Sequence, residues 1–177
     1  MARKYIKDYR LVETIGEGGR IRTDYEYIGD AYGYVREDES VAASRRRALY
    51  LCGAGWLLFI GALLPDSAAM ETIWISLPFL FAALSLGILT EALITAPKPG
   101  KPMEHRQADR LENRFGSSAA FVIGLAGIAL PGEIVNFLLG RALGWEDGVF
   151  CLCAAGLAAI GVLLFRRRNE FETQKVG

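Results

Sequence analysis

Nineteen of the chain's twenty Lys and Arg residues lie on one side of four apolar stretches, at about 48–65, 72–94, 116–140 and 148–166. A helix rises 1.5 Å per residue, so a hydrocarbon core of about 30 Å takes roughly 20 apolar residues to cross, and about 17 at the least. Each stretch meets that length. Backbone amides in lipid must be satisfied within the chain, which restricts spanning structure to helices and closed barrels, and unbroken apolar runs without alternation select helices. The expected fold class is an all-α membrane protein: a four-helix transmembrane bundle, 37–177, behind a small N-terminal cytoplasmic β-hairpin element, 1–36.

Counting basic residues between the spans orients the bundle. Ten precede the first span, five lie in the loop at 96–115, and four follow the last span, whereas the two remaining connections hold only Arg141. Basic residues near helix ends stay cytoplasmic, so both termini and the middle loop are expected inside, with 65–71 and 141–147 outside. The formal net charge of zero hides this polarity, because the outer connections carry Asp66, Glu71, Glu146 and Asp147 against a single Arg. The N-terminal decapeptide has no apolar core of a secretory signal, so insertion is expected to rely on the first span. These features place the chain in the cell membrane, with the bilayer and another membrane or cytoplasmic protein, or a second copy of itself, as partners, and no nucleic acid.

The N-terminal segment reads differently. One alternate row runs Tyr5, Lys7, Tyr9, Leu11, Glu13, Ile15 and a second runs Ile21, Thr23, Tyr25, Tyr27, separated by Gly16-Glu17-Gly18-Gly19. Period-two patterning around a glycine-rich break predicts a hairpin, with a third short strand or turn over 29–35. A lone hairpin is marginal in water, so its apolar face must pack on something. Tyr9, Leu11, Tyr25 and Tyr27 are the expected docking residues. Residues 9–19 also resemble the opening of a protein-kinase glycine-rich loop, but the third glycine of that motif would fall at Ile21, and no catalytic lysine, HRD or DFG motif follows. A hairpin turn accounts for the glycines.

Between hairpin and membrane, Glu37, Asp38 and Glu39 precede Arg45, Arg46 and Arg47, an order that suits a helix dipole and predicts a short helix running into the first span. Those arginines and Arg166, Arg167 and Arg168 are candidate lipid-headgroup contacts and stop-transfer anchors. The prolines at 97, 99 and 102 end the second span, and mixed charges at helical spacing over 103–115 predict a solvated helix leading into the third. His105, the only histidine, has no Cys or second His nearby and reads as a surface residue, not a metal ligand.

Within the spans the informative polar residues are Glu133 and, one turn on, Asn136, with Arg141 as the nearest basic partner along the sequence. An acid inside the bilayer must be protonated, paired or facing a wet interior, which makes Glu133 a candidate proton- or cation-binding group. If the third span ends earlier, Glu133 is interfacial or structural. The small multidrug transporters are similar in having four spans and an intramembrane Glu, but theirs lies in the first helix, where this chain has no acid. Small residues recur every fourth position at Gly116, Ala120 and Gly124, and in the pairs Ala154 with Ala158 and Ala155 with Ala159, permitting close helix packing. Cys52 falls near the opposite membrane face from Cys151 and Cys153, so no disulfide framework is expected.

No catalytic constellation, cofactor motif or metal-ligand spacing is present in the sequence, so no enzyme activity, cofactor or metal is expected. The primary expectation is a noncatalytic subunit or adaptor that docks a partner through its hairpin. The alternative is a homo-oligomeric small transporter or channel that uses Glu133.

Overall fold

The computed structural model describes residues 7–15, 21–139 and 144–176. Four helices in it are long and apolar enough to cross a membrane: α1 (Asp38–Leu63), α3 (Ile73–Thr95), α4 (His105–Leu138) and α5 (Trp145–Arg166). A single turn, α2 (Ala68–Glu71), lies between the first two of these. Two of the four start well before their apolar stretch. In α1 the acidic first turn, Asp38 and Glu39, complements the positive end of the helix dipole, and Ser40 Oγ donates to the Glu37 carbonyl at 2.7 Å. In α4 the charged segment after Pro102 joins the third apolar stretch without a break, giving 34 residues and a helix about 50 Å long. Its first turns therefore extend beyond the length that a hydrocarbon core requires, and there Glu91 of α3 meets Arg110 at 3.6 Å and Arg114 at 3.1 Å.

The long helices pack in a closed ring, α1 on α3, α3 on α4, α4 on α5 and α5 on α1, each antiparallel to its neighbours. Buried phenylalanines knit the interior: Phe59 of α1 stacks on Phe79 of α3 with centroids 5.3 Å apart, and Phe79 meets Phe150 of α5 at 5.0 Å. In α4 the small residues Ala119, Ala126 and Ala129 are fully buried, which permits close packing of its backbone against the neighbouring helices. At Gly132 the α4 backbone lies close against α3, since an added Cβ would lie 2.6 Å from Ile75 Cγ1. The sequence-level stripe Gly116, Ala120, Gly124 is not part of this interior; Ala120 and Gly124 face outward. Ala154 is buried, whereas Ala155 and Ala159 are exposed. Trp56 is packed between helices, its Nε1 donating to Thr90 Oγ1 at 3.3 Å, while Trp74 and Trp145 are exposed at the opposite end of the bundle from the sheets. Cys52, Cys151 and Cys153 are all free thiols.

Two small sheets lie at one end of the bundle. β1 (Tyr9–Ile15) and β2 (Ile21–Tyr27) form the expected antiparallel hairpin, with Tyr9 opposite Tyr27, Leu11 opposite Tyr25 and Ile15 opposite Ile21. Cross-strand partners share a sheet face, so Tyr9, Leu11, Tyr25 and Tyr27 of the row read from the sequence lie on one face. The expected third strand exists as β3 (Ala31–Tyr34), but it pairs elsewhere: it is the centre of a second sheet, between β4 (Met103–Glu104) and β5 (Thr173–Lys175). The N-terminal segment, the α3–α4 connection and the C-terminal tail thus meet at the same end of the bundle. Met103 and Phe171 are buried beneath this sheet, and Phe171 packs against Phe115 of α4 with centroids 4.8 Å apart. Gly100, at φ +81, lets the preceding turn bend towards Asp38 in a conformation that other residues avoid.

Candidate functional site

The hairpin is fastened at its base, and the fastening uses residues that the sequence offered as docking groups. Tyr9 Oη donates to Glu104 Oε2 at 2.6 Å. Tyr27 Oη accepts the backbone N–H of His105 at 2.9 Å and donates to the Asp30 carbonyl at 2.7 Å, and the two tyrosine rings meet edge to face at 5.3 Å. Ile28 N–H donates to the Asp8 carbonyl, closing the strand pair. His105, read from sequence as a surface residue, sits inside this joint: its ring stacks on Tyr32 with centroids 5.2 Å apart and a 16° interplanar angle, and its Nδ1 lies 3.3 Å from Asp8 Oδ2. Asp109, one turn along α4, is 3.9 Å from His105 Nε2. Glu104 serves twice, because it also occupies the N-cap position of α4, where its N–H donates to Gln107 Oε1.

One step outward on the same face the situation reverses. Leu11 is 60% exposed and its cross-strand partner Tyr25 is 73% exposed. The four docking candidates therefore divide into an anchoring pair, Tyr9 and Tyr27, and a free apolar pair, Leu11 and Tyr25. The division was legible only from the pairing partners, since all four sit in one alternating row.

The other end of the bundle holds a buried polar cluster. Glu133 is 3% exposed and Asn136 is 1% exposed. Asn136 Nδ2 donates to Thr72 Oγ1 at 3.3 Å and lies 3.5 Å from Glu133 Oε1, while Asn136 Oδ1 has no hydrogen-bond partner among the described residues. Asp147, also buried, accepts from Ala68 N–H at 2.9 Å with one oxygen and from Gly144 N–H at 2.8 Å with the other. It thereby ties the α2 connection to the start of α5, a role that its place in an acidic loop did not reveal. Glu133 and Asp147 both line a cavity of about 300 Å³ whose remaining wall includes Leu130, Phe137 and Cys151. Glu133 lies within α4, level with the first turns of α3 and α5 and not at the midpoint of the bundle. Arg141 falls outside the described residues.

The candidate headgroup arginines gather at the sheet end. Arg45 Nη2 donates to the Ile94 carbonyl near the end of α3 at 2.9 Å, while Arg46 and Arg47 are exposed. Arg166 is exposed at the end of α5, Arg167 pairs with Glu170 at 3.3 Å, and Arg168 lies over the Phe165 ring at 4.3 Å. Among the described residues no cluster of His, Cys, Asp or Glu has metal-holding geometry. No protein-family model matches the chain, no curated protein is significantly similar to it, and no solved structure matches its fold.

The joint carries a pH signature. The hydrogen bond to Glu104, followed by burial, pushes the Tyr9 hydroxyl up from 10.0 to about 12. A raised phenol value means that the protonated form is the one held in the folded state. The contribution of this bond is therefore complete below pH 10.0 and lost as pH rises through about 12. Burial also holds the Tyr27 and Tyr34 hydroxyls above 10.0, so ultraviolet difference titration should show one fewer tyrosine ionising near about 12 in Tyr9→Phe than in the wild type; a wild-type titration identical to that of Tyr9→Phe would contradict the bond.

Proposed function

We propose that the protein is an integral membrane subunit or adaptor, with its sheet end in the cytoplasm and its hairpin presented to a protein partner. Support for the membrane setting comes from the four long apolar helices, whose outward faces carry Leu57, Ile73, Leu84, Phe121, Leu152 and similar residues in the open. Support for the orientation comes from the basic residues, which crowd the sheet end. The observation that carries the adaptor reading is the contrast along one hairpin face: Tyr9 and Tyr27 are bonded to the bundle, while Leu11 and Tyr25 stand exposed on the aqueous side. Anchoring one end of the hairpin lowers the ordering cost of presenting the other, and a preorganised apolar pair of this kind suits protein docking.

Leu11→Asp with Tyr25→Asp should release a copurifying partner from the full-length protein in mild detergent. The four helices should stay intact by circular dichroism, since neither side chain bonds to them. A complex of unchanged mass and composition would refute the assignment.

A second reading, a homo-oligomeric transporter or channel, is favoured by one observation: the carboxyl of Glu133 is almost wholly buried yet lines a cavity. In that reading Glu133 binds a proton or cation. Glu133→Gln in reconstituted vesicles should then abolish proton-coupled flux at normal abundance; unchanged flux would exclude this role.

A further inference from the structure

At the sheet end, the start of α1 and the α3–α4 connection border an open, shallow groove of about 550 Å³ that neither segment's sequence discloses alone. Its lining is ordered along α1. Asp38 and Glu39 stand at the outer end, Arg45 and Arg46 come two turns deeper, and Leu49 lies one turn deeper again, while Lys98 enters from the facing connection. Seven residues separate the acids from the arginines, about 10 Å along the axis, and four separate Arg45 from Leu49, about 6 Å. Helical side chains lean towards the helix N-terminus, so the guanidinium groups lean back towards the carboxylates and shorten the first interval. Arg45 is fixed by its bond to the Ile94 carbonyl, and a guanidinium retains further N–H donors after making one such bond.

Resting on the membrane orientation proposed above, we infer that this groove binds a phospholipid with a primary-amine zwitterionic headgroup, of the phosphoethanolamine type. The order of chemistry in the groove matches the order in such a lipid. Acyl chain meets Leu49 at the hydrocarbon boundary, phosphate meets Arg45, Arg46 and Lys98, and the outermost ammonium meets Asp38 and Glu39. Arg and Lys donate charge-assisted hydrogen bonds to phosphate oxygens, and carboxylates accept them from an ammonium. A purely anionic headgroup would leave the two carboxylates against its own outer end. A choline headgroup has no N–H to give them.

The test uses the purified full-length protein in nanodiscs containing equal amounts of phosphatidylethanolamine, phosphatidylcholine and phosphatidylglycerol, with bound lipid read by native mass spectrometry. Wild type should retain phosphatidylethanolamine about tenfold over either competitor, the equivalent of one charge-assisted contact. Arg46→Ala with Lys98→Ala should lose retained lipid of every class. Asp38→Asn with Glu39→Gln, which keeps side-chain volume, should retain lipid but turn the preference to phosphatidylglycerol. Circular dichroism verifies the fold of each variant. Wild-type preference for phosphatidylglycerol, equal retention of the ethanolamine and choline lipids, or displacement by inorganic phosphate would each overturn the inference. Extraction of native membranes with alkaline carbonate separates the two levels: release of the protein would refute the membrane reading itself, whereas retention without lipid preference would refute only the groove.

Discussion

The four residues of β3 hold together segments that are remote in sequence. By pairing with β4 on one edge and β5 on the other, they join the stretch before α1, the connection between α3 and α4, and the tail after α5. In a spanning bundle those three segments can meet only if every pass between them crosses and returns. The sheet therefore states in hydrogen bonds what the distribution of Lys and Arg states in charge. Strands this short have little stability of their own. They are held by what lies beneath and around them: buried Met103 and Phe171, the Tyr34 hydroxyl donating to the Pro97 carbonyl, and Glu112 accepting from the Thr173 N–H at 2.7 Å.

The same end of the molecule explains why the hairpin is not an independent unit. β1 and β2 alone would be marginal, but Tyr9, Tyr27 and His105 join them to the first turn of α4. The opposite end is closed by different chemistry. There Asp147 receives two backbone amides and Asn136 reaches Thr72, so the connections at that end are pinned by buried side chains in place of strands. Glu133 belongs to this second cluster. Its burial is compatible both with pinning and with ion binding.

The sequence-readable features were those with a long period or a large charge contrast. Four apolar runs, the glycine-broken alternation of the hairpin, and the acidic-to-basic gradient before the first span each extend over enough residues for the pattern to show. What escaped were contacts that local pattern does not encode. β4 has two residues and β5 has three, too few for any alternation. His105 reads as a surface residue and its side chain is 31% exposed, but its partners Asp8 and Tyr32 come from the N-terminal segment, which no local pattern encodes. Tyr9 and Leu11 were equivalent members of one row until the fold bonded one and left the other exposed. Asp147 read as loop acidity because its acceptor role depends on the amide of Ala68, a residue 79 positions away.

The join between β3 and β5 is the most direct place to test the account. In a chain whose three native cysteines are replaced by alanine, Tyr32→Cys and Lys175→Cys would occupy directly paired positions across these strands. Such spacing is within reach of a disulfide. The account predicts rapid intramolecular crosslinking on mild oxidation in intact membranes, detected as a covalent link between the N-terminal and C-terminal fragments after proteolysis. Absence of the crosslink while each cysteine alone remains reactive to thiol reagents would contradict it.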